Sequence, residues 1–319
     1  MNRKIVYVAA GIIVRGDGRF LLGRRAPGTF YPGYWEFPGG KVEMGESPAE
    51  ALCRELREEL DIGVESFYPW IVRAHEYEHA SVSLHFFEVI RWRGEIRNHV
   101  HAALAWVAAD EACAPMLPAN GPVLKALSLP RRMGITQAAA VGVERQLAAL
   151  SRALAAGLRL VQLREAGLPA SARRAFAAEA VRRAHAAGAL VLVNDDPELA
   201  LAVGADGLHL PAPRLMASAA RPGFAWVGAS CHCRAELEHA AALGLDYALL
   251  GAVKATATHP SGGVLGWEGF AALAAGLPLP VFALGGLADE DMAAARRAGA
   301  HGIAAIRAAW AGTGGNGAS

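Results

Sequence analysis

The sequence predicts two domains: an α+β domain over residues 1–128, then an α/β domain, a (β/α)8 barrel, over residues 133–312. Three observations carry this. A chain of 319 residues is long enough for two ordinary cores that need neither disulfides nor a structural metal. Residues up to about 128 read as strands separated by turn signals, with one well-marked helix. Beyond them the chain repeats one phrase, a helix rich in Ala and Arg that ends in Gly and is followed within a few residues by a short apolar strand.

The start, MNRKIVYVAAGIIVRGDGRF, places Arg3 and Lys4 ahead of an apolar run from Ile5 to Val14, which imitates a signal peptide. The run stops at Arg15, Gly16, Asp17 and Gly18, and a second apolar strand follows, so it reads as a hairpin with an Asp-Gly turn. A helix is predicted over 48–60 and a short one near 120–128. The segment LSLPRRMG at 127–134 carries a proline and paired arginines, which sets a linker at 129–132.

In the second half, AAGLRLVQLR, AAGALVLVND, AVGADGLHL, ALGLDYALLG and RAGAHGIAAI each end a helix at a glycine cap and open an apolar strand suited to burial on both faces of a parallel sheet. GITQ, AWVGAS and LPVFALGG bring the strands to eight, the number a (β/α)8 barrel needs. The Gly-rich end, 313–319, reads as a flexible tail.

A balance of 31 basic against 30 acidic residues argues against a surface built to hold nucleic acid, so a nucleotide partner is expected as a small substrate and direct DNA binding is not. No stretch reaches the roughly 18 apolar residues of a membrane span. Four sparse cysteines, none in a C-x2-C pair, fit a reducing cytoplasm.

The acidic helix carries the chemistry. Ser47 is an N-cap, Pro48 suits the first helical position, and Glu50 completes a capping box. At 100° per residue, Leu52, Leu56 and Leu60 form one stripe, and Glu55, Glu58 and Glu59 lie around the adjoining arc. Charged faces of this kind are also ordinary solvated surfaces, with Arg54 and Glu58 as an i,i+4 pair. The preceding loop, EFPGGKVEMGE, adds glycines that let a ligand approach the backbone, and carboxylates beside such a loop suit Mg2+ that also holds substrate phosphates.

The pattern G-x5-E-x7-R-E-U-x-E-E-x-G-U, with U a bulky apolar residue, is met by Gly40, Glu46, Arg54, Glu55, Leu56, Glu58, Glu59 and Ile62; Asp61 stands where the late glycine is expected. By this box the first domain resembles the Nudix hydrolases, and within them the MutT type, through GRR at 23–25, EFPGGKVEMGE at 36–46, FFEVIRWRGE at 86–95 and LPAN at 117–120. The resemblance implies a mixed sheet between helices, an α/β/α sandwich. It also implies hydrolysis of 8-oxo-dGTP to 8-oxo-dGMP and pyrophosphate with Mg2+, Mn2+ being able to replace it.

By the same resemblance Arg25 contacts substrate, Glu36, Phe37, Pro38 and Gly39 line the nucleotide site, and Asn120 bonds the base. Glu55, Glu58 and Glu59 are the catalytic carboxylates and, with the Gly39 carbonyl, hold metal. The family's further loop acid falls on Val100; the loop offers His99 and His101 instead, each either a base near neutral pH or an ordinary loop residue.

Residues 133 to about 310 resemble thiamine-phosphate synthase and its TenI relatives through VQLRE, LVND, ADGLHL, GAS, TAT and ALGGL, all at predicted strand ends, the functional face of such a barrel. A phosphate or ligand pocket is expected from Gln162, Arg164, Asn194, Asp195, Ser230, Thr256, Thr258, Gly286 and, as a replacement cation, Arg307. Ala166, Asp196 and His259 replace expected cations, PAPR at 211–214 replaces a metal-binding acid segment, and Ala252 replaces the histidine of the TenI branch. Two alternatives therefore stand beside nucleotide hydrolysis: a thiamine-pathway enzyme whose first half cleaves a pyrimidine or thiamine diphosphate, and a barrel that binds a phosphorylated ligand without turnover.

Overall fold

The computed structural model describes residues 5–78, 80–109, 111, 113–255 and 263–311, and the chain divides into two compact units at Leu129 and Pro130. The first unit contains β1 (Ile5–Ile13), β2 (Phe20–Arg24), β3 (Trp35–Glu36), β4 (Gly39–Lys41), α1 (Pro48–Leu60), β5 (Gly63–Glu76), β6 (Ser81–Arg93), β7 (Ala103–Val107) and α2 (Gly121–Leu127). Its strands form a four-stranded mixed sheet, β4-β1-β6-β5, and a three-stranded antiparallel sheet, β3-β2-β7.

Alternation along β1 explains why helices cover both faces. Ala9 and Ile13 pack with Leu52, Leu56 and Leu60 of α1, whereas Ala10 and Ile12 pack with Val123 and Ala126 of α2. A strand buried on both sides must be apolar at every position there, and VAAGII is. This is the expected sandwich.

The expected hairpin is only partly formed. The Arg15–Gly18 turn closes with a Val14–Phe20 bridge, but β1 and β2 then enter different sheets, β1 pairing with β4 and β6 and β2 with β3 and β7. Turn chemistry is local, whereas the partner of each strand is set by distant packing.

The second unit contains β8 (Arg132–Ile135), α3 (Ala138–Val141), α4 (Val143–Ala155), β9 (Leu160–Leu163), α5 (Ala170–Ala186), β10 (Leu190–Asn194), α6 (Pro197–Ala202), β11 (Gly207–Leu210), α7 (Ala212–Ala217), β12 (Trp226–Cys231), α8 (Arg234–Ala242), β13 (Tyr247–Gly251), α9 (Gly266–Ala274), β14 (Val281–Leu284), α10 (Met292–Arg297) and β15 (Gly302–Ala305). Its eight strands are all parallel and close into a barrel, β15 pairing with β8. Tyr247 packs edge-on against Phe282 at 5.7 Å between centroids, and Phe282 against His301 at 4.9 Å. A Cβ on Gly228 would lie 2.0 Å from the Tyr247 ring, so Gly228 makes room for it.

Candidate functional site

The acidic helix begins as its sequence dictates. The Ser47 hydroxyl accepts from the Glu50 N–H while the Glu50 carboxylate accepts from the Ser47 N–H, completing the capping box. The helix ends with Asp61 in the left-handed conformation, φ 59° and ψ 30°, where its N–H still reaches the Arg57 carbonyl. Asp tolerates this region better than most residues, so the missing glycine does not change the turn.

Burial separates the three glutamates. The side chains of Glu55 and Glu59 are 16% and 17% exposed, and Glu58 is 60% exposed. Arg54 bridges two of them: its guanidinium donates to Glu46, to Glu55 Oε1 at 3.0 Å, to Glu58 Oε2 at 3.4 Å and to the Lys41 carbonyl at 2.9 Å. Among the described residues no three His, Cys, Asp or Glu side chains stand close enough to share one ion, so the expected trio is resolved into an inner pair and an outer member.

The inner pair faces the glycine strand. The Gly39 N–H donates to Glu59 Oε2 at 3.0 Å. A Cβ on Gly40 would lie 2.2 Å from the Glu55 carboxyl, so only glycine lets that carboxylate lie against β4. Burial pushes the Glu59 carboxyl up to about 8; the Gly39 N–H opposes this, and the negative charges of Glu55 and Glu36 add to it. Uncompensated acidity beside an open backbone suits a hard divalent cation such as Mg2+ or Mn2+, because carboxylate oxygens are the donors such ions take.

Next to this pair, Arg25 donates to Glu36 through Nη1 and to the Phe30 carbonyl through Nε. Burial raises the Glu36 carboxyl and the Arg25 charge opposes it. Phe37 departs from expectation. Its ring is 3% exposed and packs against Phe20 and Phe86, so its side chain belongs to the core. The Pro38 carbonyl is taken by the Gly11 N–H at 2.8 Å. Of the EFPG segment, Glu36 and Gly39 are the two that meet the other expected site residues.

Asn120 stands at the N-cap of α2, yet its own φ and ψ are helical and its side chain makes no cap hydrogen bond. Asn120 is 3% exposed, and its amide does not serve the helix end that its residue type normally caps. Tyr77 accepts from backbone at Ala119 and lies within 5.4 Å of the Tyr31 ring, and burial followed by the charges of Tyr31 and Glu36 raises its phenol. The sequence gives no local sign of Tyr77, whereas the aromatic richness of TFYPGYW at 29–35 was an available signal for Tyr31.

The loop after β6 places the two histidines differently. His99 is exposed, and its N–H donates to the Glu59 carbonyl at 3.0 Å. His101 is 9% exposed, with Nε2 4.0 Å from Glu59 Oε2.

In the barrel, the strand ends assemble much of the expected group. Gln162 Nε2 donates to Asn194 Oδ1 at 3.0 Å, and Gln162 Oε1 is buried with no partner among the described residues. Ser230 Oγ lies 2.8 Å from His209 Nε2, whose Nδ1 lies 2.8 Å from the Tyr247 hydroxyl. Burial, and then the Arg164 charge, pushes the His209 imidazole down to about 3. Asp195 sits at φ 58° and pairs with Arg214 at 3.0 Å.

Arg307 is exposed, and Gly286 follows β14 in a turn where the Lys254 N–H donates to the Gly285 carbonyl. Thr256, Thr258 and His259 lie outside the described residues. A cavity of about 230 Å3 is lined by Glu165, Arg173, Asn194, Asp195 and Asp196 among others. Its polar groups are engaged within the protein: Glu165 accepts from the Ala138 and Ala139 N–H groups, and Asp196 caps α6 and pairs with Arg173. In the stretch CHC at 231–233, Cys231 is buried, His232 turns to Glu236 and Cys233 is exposed, so the three side chains do not converge.

Comparison with known proteins agrees with both halves. A model of the NUDIX domain matches residues 6–127, and one described as thiamine monophosphate synthase matches residues 133–309. The chain is similar to the CTP pyrophosphohydrolase of Escherichia coli strain K12, 42% identical over 126 residues that cover 39% of this chain and 91% of that protein. It is similar to the 8-oxo-dGTP diphosphatase of Proteus vulgaris, 36% identical over 96 residues covering 30% of this chain and 86% of that protein. Its barrel is similar to the thiamine-phosphate synthase of Chromobacterium violaceum, 42% identical over 166 residues covering 51% of this chain and 80% of that protein.

Proposed function

Since the chain belongs to the Nudix family through residues 6–127 and to the thiamine monophosphate synthase family through residues 133–309, we propose that its first unit converts 8-oxo-dGTP to 8-oxo-dGMP and pyrophosphate with a divalent cation, and that its second binds a phosphorylated ligand. Hydrolysis of this kind removes an oxidised nucleotide before DNA replication can use it. The reading places the protein in the cytoplasm, and among the described residues no helix is long and apolar enough to cross a membrane.

The observation that carries the reaction type is the inner carboxylate pair. Glu55 and Glu59, with the Gly39 carbonyl and Glu58 from the outer side, would hold the cation, Mg2+ or Mn2+. The bound cation neutralises polyphosphate charge and lowers the pKa of water. Arg54 orients Glu55 through Oε1, and the Gly39 N–H orients Glu59 through Oε2. Water oxygen bonds to phosphorus as a bridging P–O bond breaks. Its proton passes to a carboxylate of the pair, and pyrophosphate leaves with the bridging electron pair. Arg25 meets the substrate's charge, and the Asn120 amide, which does not cap its own helix, reads the base.

For the barrel, the partnerless Gln162 Oε1 supports a ligand, and Ser230 and Arg164 supply donors suited to phosphate oxygens. The replaced cations at Ala166 and Asp196 weigh against diphosphate displacement there.

Full-length protein with Mg2+ is assayed for pyrophosphate release from 8-oxo-dGTP, dGTP and CTP in parallel. Preference for 8-oxo-dGTP is the expected result. Faster cleavage of CTP replaces the substrate assignment, and release from none of them sinks the hydrolase reading. For the barrel, thiazole phosphate should raise its thermal midpoint, while thiazole phosphate plus pyrimidine diphosphate should yield no thiamine phosphate.

A further inference from the structure

His101 is a buried imidazole that the reaction described above does not use. Its surroundings are built to place it. Asn98 clamps the residue from both sides, its Oδ1 accepting from the His101 N–H at 2.9 Å and its Nδ2 donating to the His101 carbonyl at 2.7 Å.

The segment that carries it is stitched to two elements. The Arg97 N–H donates to the Leu60 carbonyl at 2.9 Å and the His99 N–H to the Glu59 carbonyl at 3.0 Å, which docks the loop on the last turn of α1. On the other side the Ala102 N–H donates to the Arg24 carbonyl at 2.8 Å. Between these anchors the ring lies over Gly23, where a Cβ would come 2.2 Å from Cδ2 and 2.4 Å from Nε2. A glycine in the middle of β2 weakens a strand, and close approach by this ring is a reason to keep one.

The ring has one outlet for its polarity. Nδ1 is buried with no partner among the described residues, and Nε2 faces Glu59 Oε2 at 4.0 Å. Leaving a lone pair unmet costs less than burying an unpaired N–H, so the neutral ring carries its proton on Nε2, toward the carboxylate. Burial, and then the Arg25 charge, lowers the pKa of the ring.

We propose that His101 is a positioning residue for Glu59, its Nε2–H standing 4.0 Å from Oε2, the same oxygen that accepts from the Gly39 N–H, so that the acid stays turned into the site. The inference rests on the hydrolase reading above. It also gives the loop a task where Val100 supplies no acid. Glu59 Oε2 is then met by two groups, the backbone N–H of β4 and a side chain delivered from the loop after β6.

The test uses full-length protein, 8-oxo-dGTP and Mg2+, with three substitutions. His101→Gln keeps an N–H donor near the Nε2 position, His101→Asn keeps one only near Nδ1, and His101→Phe fills the space with no donor. Loss of an outer-sphere orienting contact lowers activity by roughly 10- to 100-fold. The expected pattern is that loss in kcat for His101→Phe and His101→Asn, with KM nearly unchanged and His101→Gln close to the parent.

Equal activity in all three, or equal loss in all three with the fold intact by circular dichroism, overturns the proposal, since either pattern assigns the ring to packing alone. If His101→Phe does not fold, the Gln and Asn contrast decides. A parent protein that cleaves no nucleotide refutes the hydrolase reading, whereas an active parent with indifferent variants refutes only the role of His101.

Discussion

Gly40 stands so close to Glu55 that a methyl group on it would meet the carboxylate at 2.2 Å. The atoms it would strike are the far end of a flexible side chain, and the Gly40 backbone is outside the left-handed region. Gly40→Ala should therefore cost little stability, under about 1 kcal/mol, and instead swing the carboxylate away. Displacement of a catalytic group by an ångström costs roughly 100-fold in rate. A pyrophosphate assay beside a urea melt checks both, and a large loss of stability with unchanged activity would contradict the role given to Glu55.

Glu59 sets stability against chemistry. Its carboxyl ionises near 4.5 when unfolded and at about 8 in the metal-free fold. Between those values the folded state holds the extra proton, so the penalty is absent below 4.5 and grows as pH rises toward 8. Glu59→Gln should abolish hydrolysis and, with chelator at pH 7.5, stabilise the first unit by on the order of 1–3 kcal/mol. Melts at pH 5 and 7.5 test the sign: the gain should shrink at pH 5.

Asn120 predicts selectivity without loss of chemistry. Asn120→Ala removes an amide its own helix does not use, so helix stability should change little. Preference for 8-oxo-dGTP over dGTP should fall by roughly 10- to 100-fold, the worth of one or two buried hydrogen bonds. Steady-state kcat/KM on both nucleotides measures it, and an unchanged ratio removes Asn120 from base recognition.

His209 predicts an acid limit for the barrel. The imidazole ionises near 6.5 unfolded and at about 3 folded. Between these values the unfolded state binds the extra proton, so this contribution is complete above 6.5 and falls with pH by roughly 1.4 kcal/mol per unit. Hydrogen exchange of β11 to β13 between pH 7 and 4.5 should show the slope, and His209→Gln should flatten it by that amount. Parallel slopes in the two proteins would show that His209 is not the group responsible.

Much of this was legible because it is written in short-range spacing. Ser47, Pro48 and Glu50 specify the start of α1 within four residues, and five of the barrel strands are announced by the glycine that ends the helix before them. What was not legible depends on residues far apart in the chain. Nothing local tells that His101 will lie on Gly23, that Glu55 and Glu59 will be buried while Glu58 stays exposed, or that β1 and β2 will part after their turn. Phe37 shows the same limit: its neighbours in sequence serve the site, while Phe20 and Phe86 claim its ring for the core.

Ring closure in the second unit also governs what happens when the protein is stressed. Every barrel strand has a hydrogen-bonded neighbour on both sides, so the ring offers no edge on which another chain could add a strand. The sheets of the first unit are open and end in outer strands such as β3 and β7, each paired on one side within its sheet. Aggregation from partly unfolded protein should accordingly nucleate on the first unit, and a lysine on the outer face of β7 is the substitution that should slow it.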